Sequence, residues 1–219
     1  MTVEAPLAPR PPELPDELEP LDLADGALHG LVLERALIEA ADLADRAAPD
    51  LDVRESALRR VLLDGTEAAG LRLTDVRVDG GSWANLRAVR GSLARVELRD
   101  LRATGAELAE ADVADVVFER VRLDLASFRF ARLARVVFRD CRLEEADFHG
   151  ATLSSVLFDG CALTGASVTA ASFSRCEIAG CELIGLTGAD SLGGVRMRWP
   201  DVLAIADQLA RAAGIELVD

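Results

Sequence analysis

A five-residue repeat constrains the fold of this chain more than any other feature. From Leu23 to Leu183, all 33 positions taken in steps of five carry Leu, Phe, Ile, Val, Ala or Trp. Half of the chain is hydrophobic, so chance would fill only about half of these positions. A strand repeats every two residues and an amphipathic helix every 3.6, and neither explains a period of five. The repeat itself is therefore the structural unit, which predicts an all-β solenoid.

A second period of 20 residues indicates how the repeats are arranged. Valine recurs at this spacing, at Val76, Val96, Val116, Val136 and Val156. The position two places before each repeat centre is also mostly apolar, which gives each pentad two inward side chains. Four pentads then form one turn, and residue i lies over residue i+20, with stacked backbones about 4.8 Å apart as in paired strands. The repeats amount to about eight coils.

Outward charges support the same register independently. One column alternates in sign without exception through Glu39, Arg59, Asp79, Arg99, Glu119, Arg139 and Asp159. A second column alternates through Asp75, Arg95, Asp115 and Arg135. Opposite charges on neighbouring strands attract by a few tenths to about 1 kcal/mol per pair. We interpret both columns as structural ladders.

The repeat resembles that of the pentapeptide-repeat proteins, whose consensus is A(D/N)LXX. The segments AELAE at 106–110, ADFHG at 146–150 and ATLSS at 151–155 match it closely. The resemblance covers residues 21 to 183 and implies a right-handed, quadrilateral β-helix. It places the β-helix domain at residues 21–184.

The two ends of the chain depart from the repeat. Residues 1–20 contain six of the eight prolines and many acids, which predicts an extended, flexible and poorly packed arm. This segment lacks the features of a signal peptide, and no stretch reaches transmembrane length. We therefore expect a cytoplasmic protein with no membrane partner.

Residues 185–219 are predicted to form a linker and a C-terminal helix. Pro200 suits the first turn of a helix, and Gly214 suits its stop, which gives a helix of about 14 residues. Its apolar stripe is Trp199, Val202, Ile205 and Leu209. The helix is predicted to cap the open end of the solenoid. In DNA-mimicking members of the similar family, including those of the mycobacterial and quinolone-resistance type, such a helix also mediates dimerisation, so the resemblance implies a homodimer.

The sequence contains no signature of catalysis, of a cofactor site or of a metal site. Motifs of hydrolases, nucleotide-binding loops and zinc proteases are missing, and the carboxylates are spread over the outward columns. The cysteines, at Cys141, Cys161, Cys176 and Cys181, all occupy inward positions where Ala and Val stand elsewhere, so we interpret them as reduced core residues. A solenoid filled with side chains also offers no deep pocket. We predict that the protein is not an enzyme.

The net charge limits the kinds of partner that the protein can bind. The chain carries −14, distributed as −8 over residues 1–60, −1 over 61–145 and −5 over 146–219. Direct binding of nucleic acid by counterion release needs a positive surface and is not expected. A protein partner that is basic or that itself binds nucleic acid is more consistent with this charge.

Some outward positions are candidates for that partner's contact surface. Val117, Val137 and Leu157 form an apolar outward row, and Leu125 and Phe130 are apolar and outward on another side. Asp112 and Glu145 lie outside the two alternating ladders and are candidate acidic contacts.

Two classes of function follow. The resemblance implies a mimic of duplex DNA that binds a type II topoisomerase such as DNA gyrase and modulates drug sensitivity, as in antibiotic resistance. The alternative is a structural scaffold or protein-interaction rod with an unrelated partner. Continuous negative stripes would favour the mimic, whereas mixed ladders favour the scaffold.

Overall fold

The chain folds as a four-sided solenoid of parallel strands. A computed structural model describes residues 4–23, 27–216 and 218; the first three residues of the predicted arm, Leu217 and Asp219 lie outside the described residues. Each pentad supplies one side of a coil. The strands belong to one parallel sheet, and the solenoid makes about nine turns. The extra turn over the predicted eight comes from short strands that pair beyond each end of the repeat.

Twelve strands are formed by the described residues. In chain order they are β1 (Glu19–Pro20), β2 (Val32–Glu34), β3 (Ala36–Glu39), β4 (Asp52–Leu62), β5 (Arg72–Ser82), β6 (Ser92–Arg99), β7 (Asp112–Glu119), β8 (Arg132–Arg139), β9 (Thr152–Asp159), β10 (Ser172–Ser174), β11 (Glu177–Ala179) and β12 (Arg196–Met197). The long strands β4 to β9 each run along two sides of a coil. Isolated bridges such as Arg122 to Arg142 and Ser127 to Asp147 mark the other two sides.

The predicted register of 20 residues is confirmed. In the pairing of β7 with β8, Val116 lies beside Val136 and Phe118 beside Phe138. The pairing of β8 with β9 continues both columns. Identical or similar side chains therefore stack on their own copies along the axis.

Repeat centres form the core. All of them from Leu23 to Leu183 are buried except Phe173, which is partly buried. The ring of Phe138 stacks on those of Phe118 and Phe158 at centroid distances of 4.8 and 5.0 Å. The four cysteines are buried free thiols, as expected of core residues. Edge contacts join neighbouring aromatic columns, so the core is continuous across the coil.

Every corner of the solenoid uses the left-handed backbone region. The residue two places after each repeat centre has positive φ from position 30 to position 185. Glycine, asparagine and aspartate adopt this conformation most easily, whereas bulky side chains are strained there. Most corners carry glycine or a polar residue, but Leu125 and Phe130 have φ of 60° and 56°.

Two short helices cover the C-terminal end of the solenoid. A 3₁₀ turn at Ala189–Leu192 leads to α1 (Trp199–Ala204) and α2 (Ala206–Ala212). The prediction of one continuous helix was wrong, because the chain bends at Ile205, whose φ is −121° and ψ is 23°. This bend directs the fully buried Ile205 side chain into the core.

The helices are anchored and terminated by identifiable contacts. The buried Asp201 carboxylate accepts a hydrogen bond of 3.0 Å from the Gly180 N–H, which ties α1 to the last coils. Gly214 has φ of 76° and ends α2 where the sequence predicts it. The N–H groups of Gly214 and Ile215 donate to the carbonyls of Arg211 and Ala210, both at 2.9 Å, in a Schellman arrangement. The predicted capping role of this region is confirmed.

Candidate protein-interaction surfaces

The interior of the solenoid offers little room for a ligand. Two apolar voids of about 20 Å³ each flank Trp83, and a void of this size holds roughly one water molecule. Among the described residues, no group of His, Cys, Asp and Glu side chains is placed to hold a metal ion. No helix in the described part of the chain is long and apolar enough to span a membrane. Recognition chemistry must therefore come from outward side chains.

The predicted charge ladders are present and are largely neutralised. Arg95 donates to Asp75 at 2.5 and 2.6 Å, and Arg99 pairs with Glu119 at 3.2 Å. No 20-residue column of the described residues carries more than two acids in succession. The surface is thus a set of mixed ladders and lacks continuous negative stripes.

The N-terminal arm lies along the solenoid over the predicted apolar row. Residues 6–9 face Val117, Val137 and Leu157 across a cavity of about 320 Å³. These three side chains are half-buried. The arm is extended, as its composition predicts, but the described part packs against the rod. Glu4 pairs with Arg175 at 2.6 Å near the C-terminal end, and β1 pairs with β3 at the other end.

The arm is held most tightly at the corner that carries the second ladder. The Asp115 side chain is 2% exposed and accepts five hydrogen bonds, two from Arg135 and three from Arg10. Two coils away, the Asp75 carboxylate accepts a hydrogen bond of 3.0 Å from the Glu13 N–H. The guanidinium of Arg135, joined by that of Arg10, holds the pKa of Asp115 well below its usual range. Both acids are therefore charged at neutral pH.

A second surface surrounds the exposed ring of Phe130. The side chains of Phe130 and Leu125 are 53% and 58% exposed and occupy successive corners of one coil. The guanidinium carbon of Arg129 lies 5.5 Å from the centroid of the Phe130 ring. The His149 ring meets the Phe130 ring edge-on, with centroids 5.4 Å apart. We call Leu125, Arg129, Phe130 and His149 the Phe130 patch.

The structure separates the predicted contact residues into different environments. The row of Val117, Val137 and Leu157 lies beneath the arm. Asp112 is exposed and pairs with Arg132 at 3.5 Å, so it belongs to a ladder of its own. Glu145 is exposed above Leu125 and forms no ion pair with the described residues. Sequence reasoning missed Arg10 and Glu13, although they are the non-proline residues of a proline-dense stretch.

The residues of the predicted C-terminal stripe also differ in burial. Ile205 is buried and Leu209 partly buried against the core, so these residues cap the last coil. Val202 is half-buried. Trp199 is 70% exposed and Leu203 56% exposed, which leaves an apolar surface on the outside of the cap.

Comparison with known families agrees with this geometry. The family model described as a pentapeptide repeat region matches residues 111–187. The repeats in this part of the chain are therefore similar to those of the pentapeptide-repeat family. No curated protein matches the sequence significantly.

Solved structures similar to this chain include QnrB1 and the pentapeptide-repeat protein HetL. Full-length QnrB1, described as a plasmid-mediated fluoroquinolone resistance protein, is 17% identical with a TM-score of 0.43, over 87% of this chain and 94% of QnrB1. HetL, described as involved in heterocyst differentiation regulation in the cyanobacterium Nostoc, is 17% identical with a TM-score of 0.29, over 80% of this chain and 93% of HetL. At these values the similarity does not bear on function.

Proposed function

We propose that this chain is a non-enzymatic pentapeptide-repeat rod that binds another protein through the Phe130 patch. The solenoid interior is filled by its own side chains, which leaves binding to the outside. The ladders compensate their own charges. The observation that carries the proposal is a large aromatic ring held outward at a strained corner.

Backbone strain is the reason to assign a role to this ring. A non-glycine residue in the left-handed region costs about 1–2 kcal/mol, and neither Leu125 nor Phe130 recovers this cost by burial. Strain at an outward position indicates a function for the side chain there. Aromatic and arginine side chains dominate binding energy at protein interfaces, and Phe130 has Arg129 beside it.

Phe130→Asn separates binding from stability. Asparagine tolerates positive φ, so the variant is expected to be as stable as the wild type or more stable by about 1 kcal/mol. The variant should capture about tenfold less, or less still, of the proteins that the wild-type rod captures specifically from a native lysate. This is the usual loss when a central aromatic contact is removed. Quantitative mass spectrometry of the captured proteins measures this.

Ile184→Ser is the matched control. Ile184 is 70% exposed on a later coil, so its replacement removes a comparable apolar side chain away from the patch. The control should capture the same proteins as the wild type. Equal capture by wild type and Phe130→Asn would overturn the proposal.

A mimic of duplex DNA that binds DNA gyrase and changes drug sensitivity is the second candidate. The net charge of −14 favours it, as does the unpaired carboxylate of Glu145. Such binding would compete with DNA and weaken as salt screens the charges. The paired arginines count against it, because they interrupt the acids of both alternating ladders.

We also propose that two rods pair through their C-terminal ends in the cytoplasm. Trp199 and Leu203 are exposed together on the cap, and burying them in a homodimer would remove an apolar surface from water. Light scattering on the purified protein measures the mass directly.

A further inference from the structure

The face that carries the arm has the character of a peptide-binding groove. We call Asp75, Asp115, Val117, Val137 and Leu157 the arm groove. Its two acids lie on one corner column, two coils apart, and its apolar residues stack on the adjoining side. The groove is distinct from the Phe130 patch.

The prolines of the arm limit the number of backbone N–H groups that can donate hydrogen bonds to this groove. Pro9, Pro11 and Pro12 have no N–H, so Arg10 and Glu13 hold the only backbone donors between positions 9 and 13. Both donors are used, since the Arg10 N–H bonds Asp115 at 3.1 Å and the Glu13 N–H bonds Asp75 at 3.0 Å. Pro11 also restricts Arg10 to extended backbone.

The spacing of these donors matches the spacing of the rod. Three residues of polyproline II backbone advance about 9.3 Å. Two coils of the solenoid advance about 9.6 Å. The ladder alternates in sign, so an acid recurs on every second coil. The distance between two such acids is therefore close to the distance between residues three apart in an extended proline-rich chain.

The apolar part of the groove is only partly filled. A cavity of about 320 Å³ remains between residues 6–9 and the row of Val117, Val137 and Leu157. Leu7 lines this cavity but is 51% exposed, so its side chain does not fill the space. A segment with a larger apolar side chain at this point would bury more of the row than the arm does.

We propose that the arm groove recognises a proline-rich, arginine-containing segment of a partner protein, and that the chain's own arm occupies the groove in its absence. The arginine takes the Asp115 carboxylate, and the donor three residues later takes Asp75. A polyproline II segment loses little conformational entropy on binding, which suits recognition by a preformed surface. The tethered arm competes at a high effective concentration, so a partner must contact the apolar row more fully than the arm does.

Fluorescence anisotropy with a labelled peptide of residues 4–18 tests the proposal on the full-length chain. Arg10→Ala in the protein removes the arm's guanidinium contacts with Asp115 and should raise the affinity for the free peptide by about tenfold or more over wild type. Replacing the peptide's own arginine by alanine should lower its affinity by about the same factor. Inserting one alanine between its Pro12 and Glu13 should also weaken binding, because the interval of three is lost.

Changes made in the peptide leave the fold of the protein intact, so a loss of binding cannot come from unfolding. Phe130→Asn in the protein should bind the peptide with unchanged affinity, which separates this site from the proposed Phe130 contact. Equal binding of the native and alanine peptides, or no binding of either to the Arg10→Ala protein, would overturn the proposal. If the free peptide dissociates dimers of the wild-type protein, the groove holds the arm of a second copy. That result would overturn the assignment to a separate partner.

Discussion

Phe138→Asp is expected to unfold the rod. The Phe138 side chain is fully buried between the rings of Phe118 and Phe158. Removing a buried phenylalanine costs about 3–5 kcal/mol. An unpaired buried carboxylate adds several kcal/mol more, and the sum approaches the typical total stability of about 5–15 kcal/mol. Circular dichroism should show loss of the β signal at room temperature.

Thr169→Asp is the matched control for this substitution. Thr169 is exposed on an outward position, and the new carboxylate stays in water. The variant should differ from wild type by about 0.5 kcal/mol or less in urea unfolding. Comparable destabilisation at both positions would contradict the assignment of inward and outward residues.

Deleting residues 197–219 is expected to make the chain aggregate. The deletion removes Ile205 and Leu209 from the last coil and takes away the part of β12 that pairs with Ile178. Exposed apolar surface and an unpaired parallel edge promote association between chains. Size-exclusion chromatography with light scattering should give a dimer for the full chain and large species for the truncated one.

Two point variants separate capping from pairing. Ile205→Asp places a charge in the core and should aggregate like the truncated chain, since Ile205 is fully buried. Leu203→Asp alters only the outer surface of the cap and should give a folded monomer. A stable monomer from the truncated chain would show that the C-terminal region neither caps the solenoid nor pairs it.

Repetition explains why so much of the fold could be predicted from the sequence. In a solenoid each side chain packs mainly on its copy 20 residues away, so counting along the chain identifies the contacts. The valine column through Val116 and Val136 and the ladder through Asp115 and Arg135 are both paired as counted. The pattern also predicted the end of the helical region at Gly214.

Contacts outside the repeat could not be predicted in this way. Arg10 meets Asp115 across a separation of 105 residues, and no periodicity links them. The composition of the arm predicts its extended backbone but does not specify the surface it lies on. The bend at Ile205 was missed for a related reason, because the helical stripe is uninterrupted and only the position of the last coil requires the chain to turn.

The strain at the Phe130 patch also required the structure. The sequence places Phe130 and Leu125 outward, but the left-handed corners become visible only when backbone angles are known. These angles distinguish an ordinary exposed side chain from one whose residue is held in a backbone conformation of higher free energy.

A DNA gyrase supercoiling assay across a salt series tests most directly whether this rod acts through specific apolar contacts or through a negative surface. Mixed ladders give little long-range attraction, so we predict unchanged supercoiling and unchanged drug-stabilised cleavage at saturating protein. Inhibition that competes with DNA, weakens with salt and is lost on reversing Asp112 and Glu145 to arginine would contradict the account and assign the protein to the DNA mimics.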